Sequence, residues 1–120
     1  MDMRKRIEQA LESRLAPTHH YGAPPKLLQA MQHAVFPGGA RIRPQLALAV
    51  AQACACEAPE LALGGATAVE LLHCASLVHD DMPCFDDAET RRGRPSVQRQ
   101  FGEPLALLTG DALIVLAFET

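Results

Sequence analysis

A strongly apolar helix-like stretch, Ala66 to Val78, runs straight into His79-Asp80-Asp81-Met82-Pro83-Cys84-Phe85-Asp86-Asp87-Ala88-Glu89-Thr90-Arg91-Arg92-Gly93-Arg94-Pro95. An apolar helix must be buried against neighbours, so it delivers two Asp pairs, a Glu and three Arg to one fixed place at its end. The charges are sorted by sign, acids first, with Pro and Gly where a defined loop needs them. A merely solvated, self-neutralising loop has no reason for that order. Asp oxygens are hard ligands for Mg²⁺, which prefers to share phosphate oxygens, while Arg binds phosphate bidentately. The pattern points to metal-bridged phosphate chemistry. An EF-hand is excluded, because the alternating oxygen ligands, mid-loop Gly and terminal Glu are not at the required spacing.

The rest of the chain reads as helix. Asp2 to about Leu15 is amphipathic, Pro24 or Pro25 opens a second helix, and Pro37-Gly38-Gly39 breaks the chain before Arg41. Pro44 falls in the first turn of a third helix, which runs to about Cys56. A loop with Pro59 leads to a short helix, and after Gly64-Gly65 a long one extends to about His79. The last segment, Glu103 to Thr120, is an apolar helix with no capping signal at its end, so the 120 residues read as the front part of a longer protein. Ala and Leu dominate and period-two alternation is scarce, which makes a sheet improbable.

A formal net charge of −3 provides no global basic field for nucleic acid or anionic lipid. The basic start at Arg4-Lys5-Arg6 is followed by Glu8, Glu12 and Arg14 rather than an apolar secretory core. No apolar run looks long and uniform enough for a membrane span. A cytoplasmic enzyme is expected. Cys54, Cys56, Cys74 and Cys84 match neither a zinc knuckle nor a secreted disulfide framework; Cys54 and Cys56, at an Ala-rich helix end, and Cys74, within an apolar helix, read as small buried apolar residues.

Helix geometry relates the apolar stretch to the aspartates. At about 100° per residue, Ser76, His73 and Val69 share the face of Asp80. His73 therefore points toward the aspartate mouth. A second basic cluster, Gly38-Gly39-Ala40-Arg41-Ile42-Arg43-Pro44, combines two glycines that allow close approach with two Arg beside a helix start, the ingredients of an anion site. Six of the eleven basic residues, Arg41, Arg43, Arg91, Arg92, Arg94 and Arg99, lie in these two neighbourhoods.

These motifs, together with Glu70-Leu71-Leu72-His73, Phe101-Gly102-Glu103 and Gly110-Asp111-Ala112-Leu113, resemble the N-terminal part of trans-polyprenyl diphosphate synthases, most closely bacterial geranylgeranyl or farnesyl diphosphate synthases. The resemblance runs from about Leu28 to Thr120. It implies an all-α isoprenoid synthase fold, antiparallel helices around a central cavity, with residues 1–120 as the N-terminal part of a single domain. It further implies that Asp80 and Asp86 bind Mg²⁺ bridging to an allylic diphosphate, that Asp81 supports them, and that Arg91 holds the same diphosphate. Arg43, His73 and Arg92 would hold isopentenyl diphosphate. A homodimer is implied as well. Arg41, Arg94 and Arg99 stay open between phosphate ligand and surface charge.

One position departs from the family, which usually has Lys where this chain has Ala40; compensation by a nearby Arg is the favoured account. In the family, bulky aromatics four or five residues before the first Asp stop the product at fifteen carbons. Here those positions are Ser76 and Ala75, both small, which implies the twenty-carbon product. The alternatives are a fifteen-carbon farnesyl synthase and a non-catalytic subunit of a heteromeric synthase. With only one of the family's two aspartate-rich motifs, the 120 residues alone are expected to be inactive.

Overall fold

The computed structural model describes residues 2–17 and 22–120. Along these, the chain forms α1 (Met3–Arg14), α2 (Pro25–Val35), α3 (Ile42–Ala53), α4 (Pro59–Asp80), a hairpin of β1 (Thr90–Arg91) and β2 (Arg94–Pro95), then α5 (Val97–Phe101) and α6 (Glu103–Glu119). Helix starts follow local chemistry. The Asp2 carboxylate accepts the Lys5 N–H at 2.9 Å and caps α1. Proline stands at or next to the first position of α2, α4 and α6, where its missing N–H removes no helical bond.

The long helix α4 is the centre of the bundle and packs against α1, α2, α3 and α6. Ile7 and Leu11 of α1, Val35 of α2, Leu71 of α4 and Leu113 of α6 are fully buried, and Leu48 of α3 nearly so. Burial of each such side chain contributes about 1.5–3 kcal/mol, so α4 is held mainly by packing rather than by its own helix propensity.

Gly64-Gly65 does not divide this helix, contrary to the sequence reading. Each glycine costs an isolated helix about 1 kcal/mol relative to Ala. Ala66, Thr67, Glu70 and Leu71 are all buried just beyond, and their packing outweighs that cost. The continuous helix also revises the expectation about membrane-spanning length: its 22 residues are long and apolar enough to cross a bilayer by length and composition. Here α4 is instead the bundle's central helix, and its mid-length Glu70 is 2 % exposed and ion-paired to Arg41 at 3.0 Å.

Two small elements were not expected from the sequence. The hairpin pairs Thr90 with Pro95 and Arg91 with Arg94. Its turn residues, Arg92 and Gly93, both have positive φ, +54° and +77°, the conformation that matches strand twist in a two-residue turn. Arg-Gly lacks the Asn or Asp that usually announces such a turn. Helix α5 follows directly and buries Val97.

Candidate functional site

The end of α4 positions the acidic residues. Asp80 is the last helical residue and is exposed, and Asp81 is the C-cap, 2 % exposed. The chain then folds back on itself. The Asp86 N–H donates to the Asp80 carbonyl at 2.8 Å, Asp87 N–H to Met82 O at 3.0 Å and Ala88 N–H to Asp81 O at 3.0 Å, while Met82 anchors the turn in the core. Asp80 and Asp86 thus stand exposed on one closed turn.

Asp81 faces inward. Its carboxylate accepts two parallel bonds from Arg91, Nε to Oδ2 at 2.8 Å and Nη2 to Oδ1 at 2.6 Å, the bidentate geometry that gives strong charge-assisted pairs. The Arg91 guanidinium is held above its ordinary pKa chiefly by this hydrogen bond, with Asp80 and Asp86 adding to it. Those two carboxylates are therefore close enough for Arg91 to feel their charge.

Two turns back along the same face of α4 from Asp80 lies the cationic group. Arg43, one residue after the start of α3, donates from Nη1 to His73 Nε2 at 3.3 Å. Because a guanidinium only donates, Nε2 is the accepting nitrogen and the imidazole proton sits on Nδ1. Burial lowers the His73 pKa, and the positive charges of Arg43, Arg92 and Arg91 lower it further against an opposing effect of Glu70. His73 is thus a neutral imidazole facing cations. Val69 and Ser76 share its open side, as helix geometry indicated, and the Ser76 hydroxyl donates to the His73 carbonyl at 2.6 Å. Ala75 does not share that side; it is 1 % exposed, within the core.

The glycines of the basic cluster serve a different purpose from close approach of a ligand. A Cβ on Gly38 would collide with the guanidinium of Arg41, and one on Gly39 would stand 3.0 Å from Arg92 Nε. Gly38 also has φ +75°, a conformation that favours glycine. The two glycines make room for this chain's own arginines. Arg4, from α1, reaches the same loop and donates to Gly39 O at 3.1 Å.

Arg41 itself is neither a surface charge nor a phosphate ligand. It is 2 % exposed, adopts φ +54° before α3, and donates to Glu8 at 2.7 Å, Glu70 at 3.0 Å and the Val35 carbonyl at 2.7 Å. A buried charge needs such partners. A lone Glu70 on an apolar helix was the sequence signal for a buried cation, although nothing in its neighbourhood names Arg41 as the partner. Arg94 is likewise engaged, donating to the Phe36 carbonyl at 2.5 Å and to His33 at 3.0 Å, and Arg99 pairs with Glu89 at 2.7 Å. Cys74 is buried beside Glu70, and burial pushes its thiol up to about 11, with the Glu70 charge adding to the rise. Cys54 and Cys56 are exposed rather than buried as apolar residues, and Cys84 of the acidic turn is exposed as well.

Beside Asp81 and Arg91 a cavity of about 40 Å³, lined also by His33, Phe36, Arg92 and Ser96 among others, has room for water but not for a diphosphate. Any such anion would sit on the open face. Among the described residues no set of three or more His, Cys, Asp or Glu side chains converges as a metal cage. Two exposed carboxylates on one turn instead suit Mg²⁺, which keeps waters and takes substrate phosphate oxygens to complete its shell.

The sequence profile described as Polyprenyl synthetase matches residues 24–120. Over 119 residues the chain is 57% identical to a geranylgeranyl diphosphate synthase of Cereibacter sphaeroides and 50% identical to one of Rhodobacter capsulatus, each alignment taking in 99% of the chain and 41% of the relative. A solved structure of an isoprenoid synthase family member from Thermotoga neapolitana superimposes with a TM-score of 0.89 at 45% identity, over 98% of the chain and 44% of that protein. The chain therefore spans about two fifths of the length of the curated relatives it matches.

Proposed function

The chain belongs to the polyprenyl synthetase family, and from that premise we propose that it is the N-terminal part of a single all-helical domain that joins isopentenyl diphosphate to allylic diphosphates and delivers the twenty-carbon geranylgeranyl diphosphate. The observation that carries this reading is the juxtaposition, along one face and the end of α4, of an acidic turn backed by Arg91 and a second group in which Arg43 and Arg92 accompany the neutral His73. A condensation of two diphosphates needs one leaving group activated and the other merely held.

Asp80 and Asp86 would hold Mg²⁺, which when bound supplies positive charge that stabilises a departing diphosphate. Arg91, kept in plane by Asp81, hydrogen-bonds the same allylic diphosphate. As the allylic C–O bond breaks, the electron pair passes to a diphosphate oxygen, and the guanidinium neutralises part of that new charge. Arg43, His73 and Arg92 hold isopentenyl diphosphate so that its double bond faces the allylic cation. The π electrons form the new C–C bond, and the proton lost next passes to the released diphosphate. Apolar walls exclude the water that would otherwise quench the cation.

The small side chains at Ser76 and Ala75 support the longer product. Exposed Leu108, Val115 and Phe118 on α6 support a face that the rest of the domain covers in the complete enzyme, and the homodimer rests on family membership alone. The exposed free thiols of Cys54, Cys56 and Cys84 support a reducing, cytoplasmic setting.

The test is product analysis of the complete enzyme with labelled isopentenyl diphosphate, an allylic diphosphate and Mg²⁺. A twenty-carbon product is expected. A product that stops at fifteen carbons would move the chain-length determinant away from Ser76 and Ala75, and absence of any metal-dependent product would favour a non-catalytic subunit.

A further inference from the structure

We infer that Arg4, on the N-terminal helix, is a ligand of the isopentenyl diphosphate and supplies at the Gly38-Gly39-Ala40 loop the cation that Ala40 cannot. The inference rests on the reading above. Arg4 and Glu8 stand one turn apart on α1, the spacing at which opposite charges on a helix ordinarily pair. Glu8 is committed elsewhere: its Oε1 accepts from Arg41 Nε at 2.7 Å and its Oε2 lies 3.4 Å from Arg41 Nη2. Buried Arg41 thus draws away the carboxylate that would have neutralised Arg4.

Arg4 turns instead to the loop. Nη2 donates to the Gly39 carbonyl at 3.1 Å, which uses one of five guanidinium donors. The other side of Gly39 is faced by Arg92, whose Nε would stand 3.0 Å from a Cβ there. Arg92 in turn acts electrostatically on His73, and His73 accepts from Arg43. Two exposed guanidiniums, Arg4 and Arg92, therefore meet Gly39, with exposed Arg43 three residues past Ala40, and among the described residues none of the three pairs with a carboxylate. Like charges gathered without counter-charge repel one another. A diphosphate relieves that repulsion, with enough oxygens to satisfy several guanidiniums at once.

Ala40 follows Gly39 in this loop, with an exposed side chain that can neither donate nor carry charge. A hydrogen bond links Arg4 to the residue just before it. The 35 residues separating Arg4 from Gly39 explain why no local motif reveals the contact.

The experiment compares the complete wild-type enzyme with R4Q, R4K and the double variant R4Q/A40K, by steady-state kinetics on both substrates and by calorimetric binding of isopentenyl diphosphate alone. R4Q is expected to raise KM and Kd for isopentenyl diphosphate about tenfold, the loss of one charge-assisted contact. The KM for the allylic substrate should stay within twofold, R4K should show a smaller rise than R4Q, and A40K should restore most of the affinity in the R4Q background. Unchanged KM and Kd in R4Q, with an active wild type, would overturn the role of Arg4 and leave the synthase reading intact. Equal rises for both substrates, or early melting of R4Q and R4K alike, would mark a structural role and also overturn it. An inactive wild type that binds no isopentenyl diphosphate would overturn the underlying reading itself.

Discussion

Asp80 and Asp81 are adjacent in the chain, yet one is exposed and the other is 2 % exposed beneath the bidentate grip of Arg91. The helix ends between them. Asp80 belongs to the last turn of α4 and faces outward, whereas Asp81 caps that turn and is directed into the structure, where only a guanidinium makes its charge tolerable. Two identical residues thereby acquire different duties, one presenting oxygens outward and the other orienting a cation.

Substitutions at this pair should separate stability from turnover. R91Q leaves the buried Asp81 carboxylate without its partner and should destabilise the enzyme by about 2 kcal/mol, less than a fully buried pair would lose because Arg91 is partly exposed. D80N removes an exposed charge and should change stability by no more than about 0.5 kcal/mol while removing Mg²⁺-dependent turnover. Urea unfolding and a turnover assay on the two variants check both outcomes.

The Arg41–Glu70–Glu8 cluster should behave as a unit. R41A strands Glu70 inside the bundle and should cost about 3–5 kcal/mol. In R41M/E70M two apolar side chains replace the central pair, and the double variant should be more stable than R41A alone, a coupling that chemical denaturation of the full cycle measures directly.

Thiol labelling should distinguish Cys74 from the others in this segment. Its thiol is buried and pushed up to about 11, so almost no thiolate exists at pH 8. Peptide mapping after treatment with iodoacetamide should find Cys54, Cys56 and Cys84 modified in the native protein and Cys74 modified only after unfolding.

His73 supplies a pH dependence whose sign follows from its environment. Its folded-state pKa is lowered by burial and by Arg43, so as pH falls below the ordinary value of about 6.5 the unfolded chain takes up the proton first and stability declines. The contribution is fully present above that value. A bound diphosphate brings negative charge to the same ring and raises its pKa, so binding near pH 6 should be accompanied by proton uptake. Calorimetry in buffers of different ionisation enthalpy should detect that uptake in the wild type and find it diminished in H73Q.

Ser76 and Ala75 differ in what a bulky side chain would meet. Ser76 is exposed on the side of Asp80, whereas Ala75 is within the core. S76F should therefore leave the melting temperature nearly unchanged and shift the product toward fifteen carbons. A75F must displace core neighbours and should cost about 1–3 kcal/mol. Product chromatography and thermal unfolding of the two variants test the distinction.

Much of this architecture is legible along the chain because its determinants are local. Proline and glycine mark the starts of α2, α3, α4 and α6, and apolar periodicity carries them onward. The face shared by Val69, His73, Ser76 and Asp80 follows from helix geometry alone. The sequence by itself also specifies the acidic turn, since its residues close on one another over a few positions. Tertiary structure decided the rest. Packing joined α4 across Gly64-Gly65 because the burial of Ala66, Glu70 and Leu71 outweighs two helix-weakening residues, a balance that no local window contains. It also assigned the arginines their roles. Arg41 and Arg43 differ by two positions and are the same residue type, yet one is buried among Glu8, Glu70 and the Val35 carbonyl while the other is exposed against His73. A guanidinium is the same chemical group in either setting, and what separates a structural charge from a free one is whether a distant carboxylate is brought within reach when the helices pack.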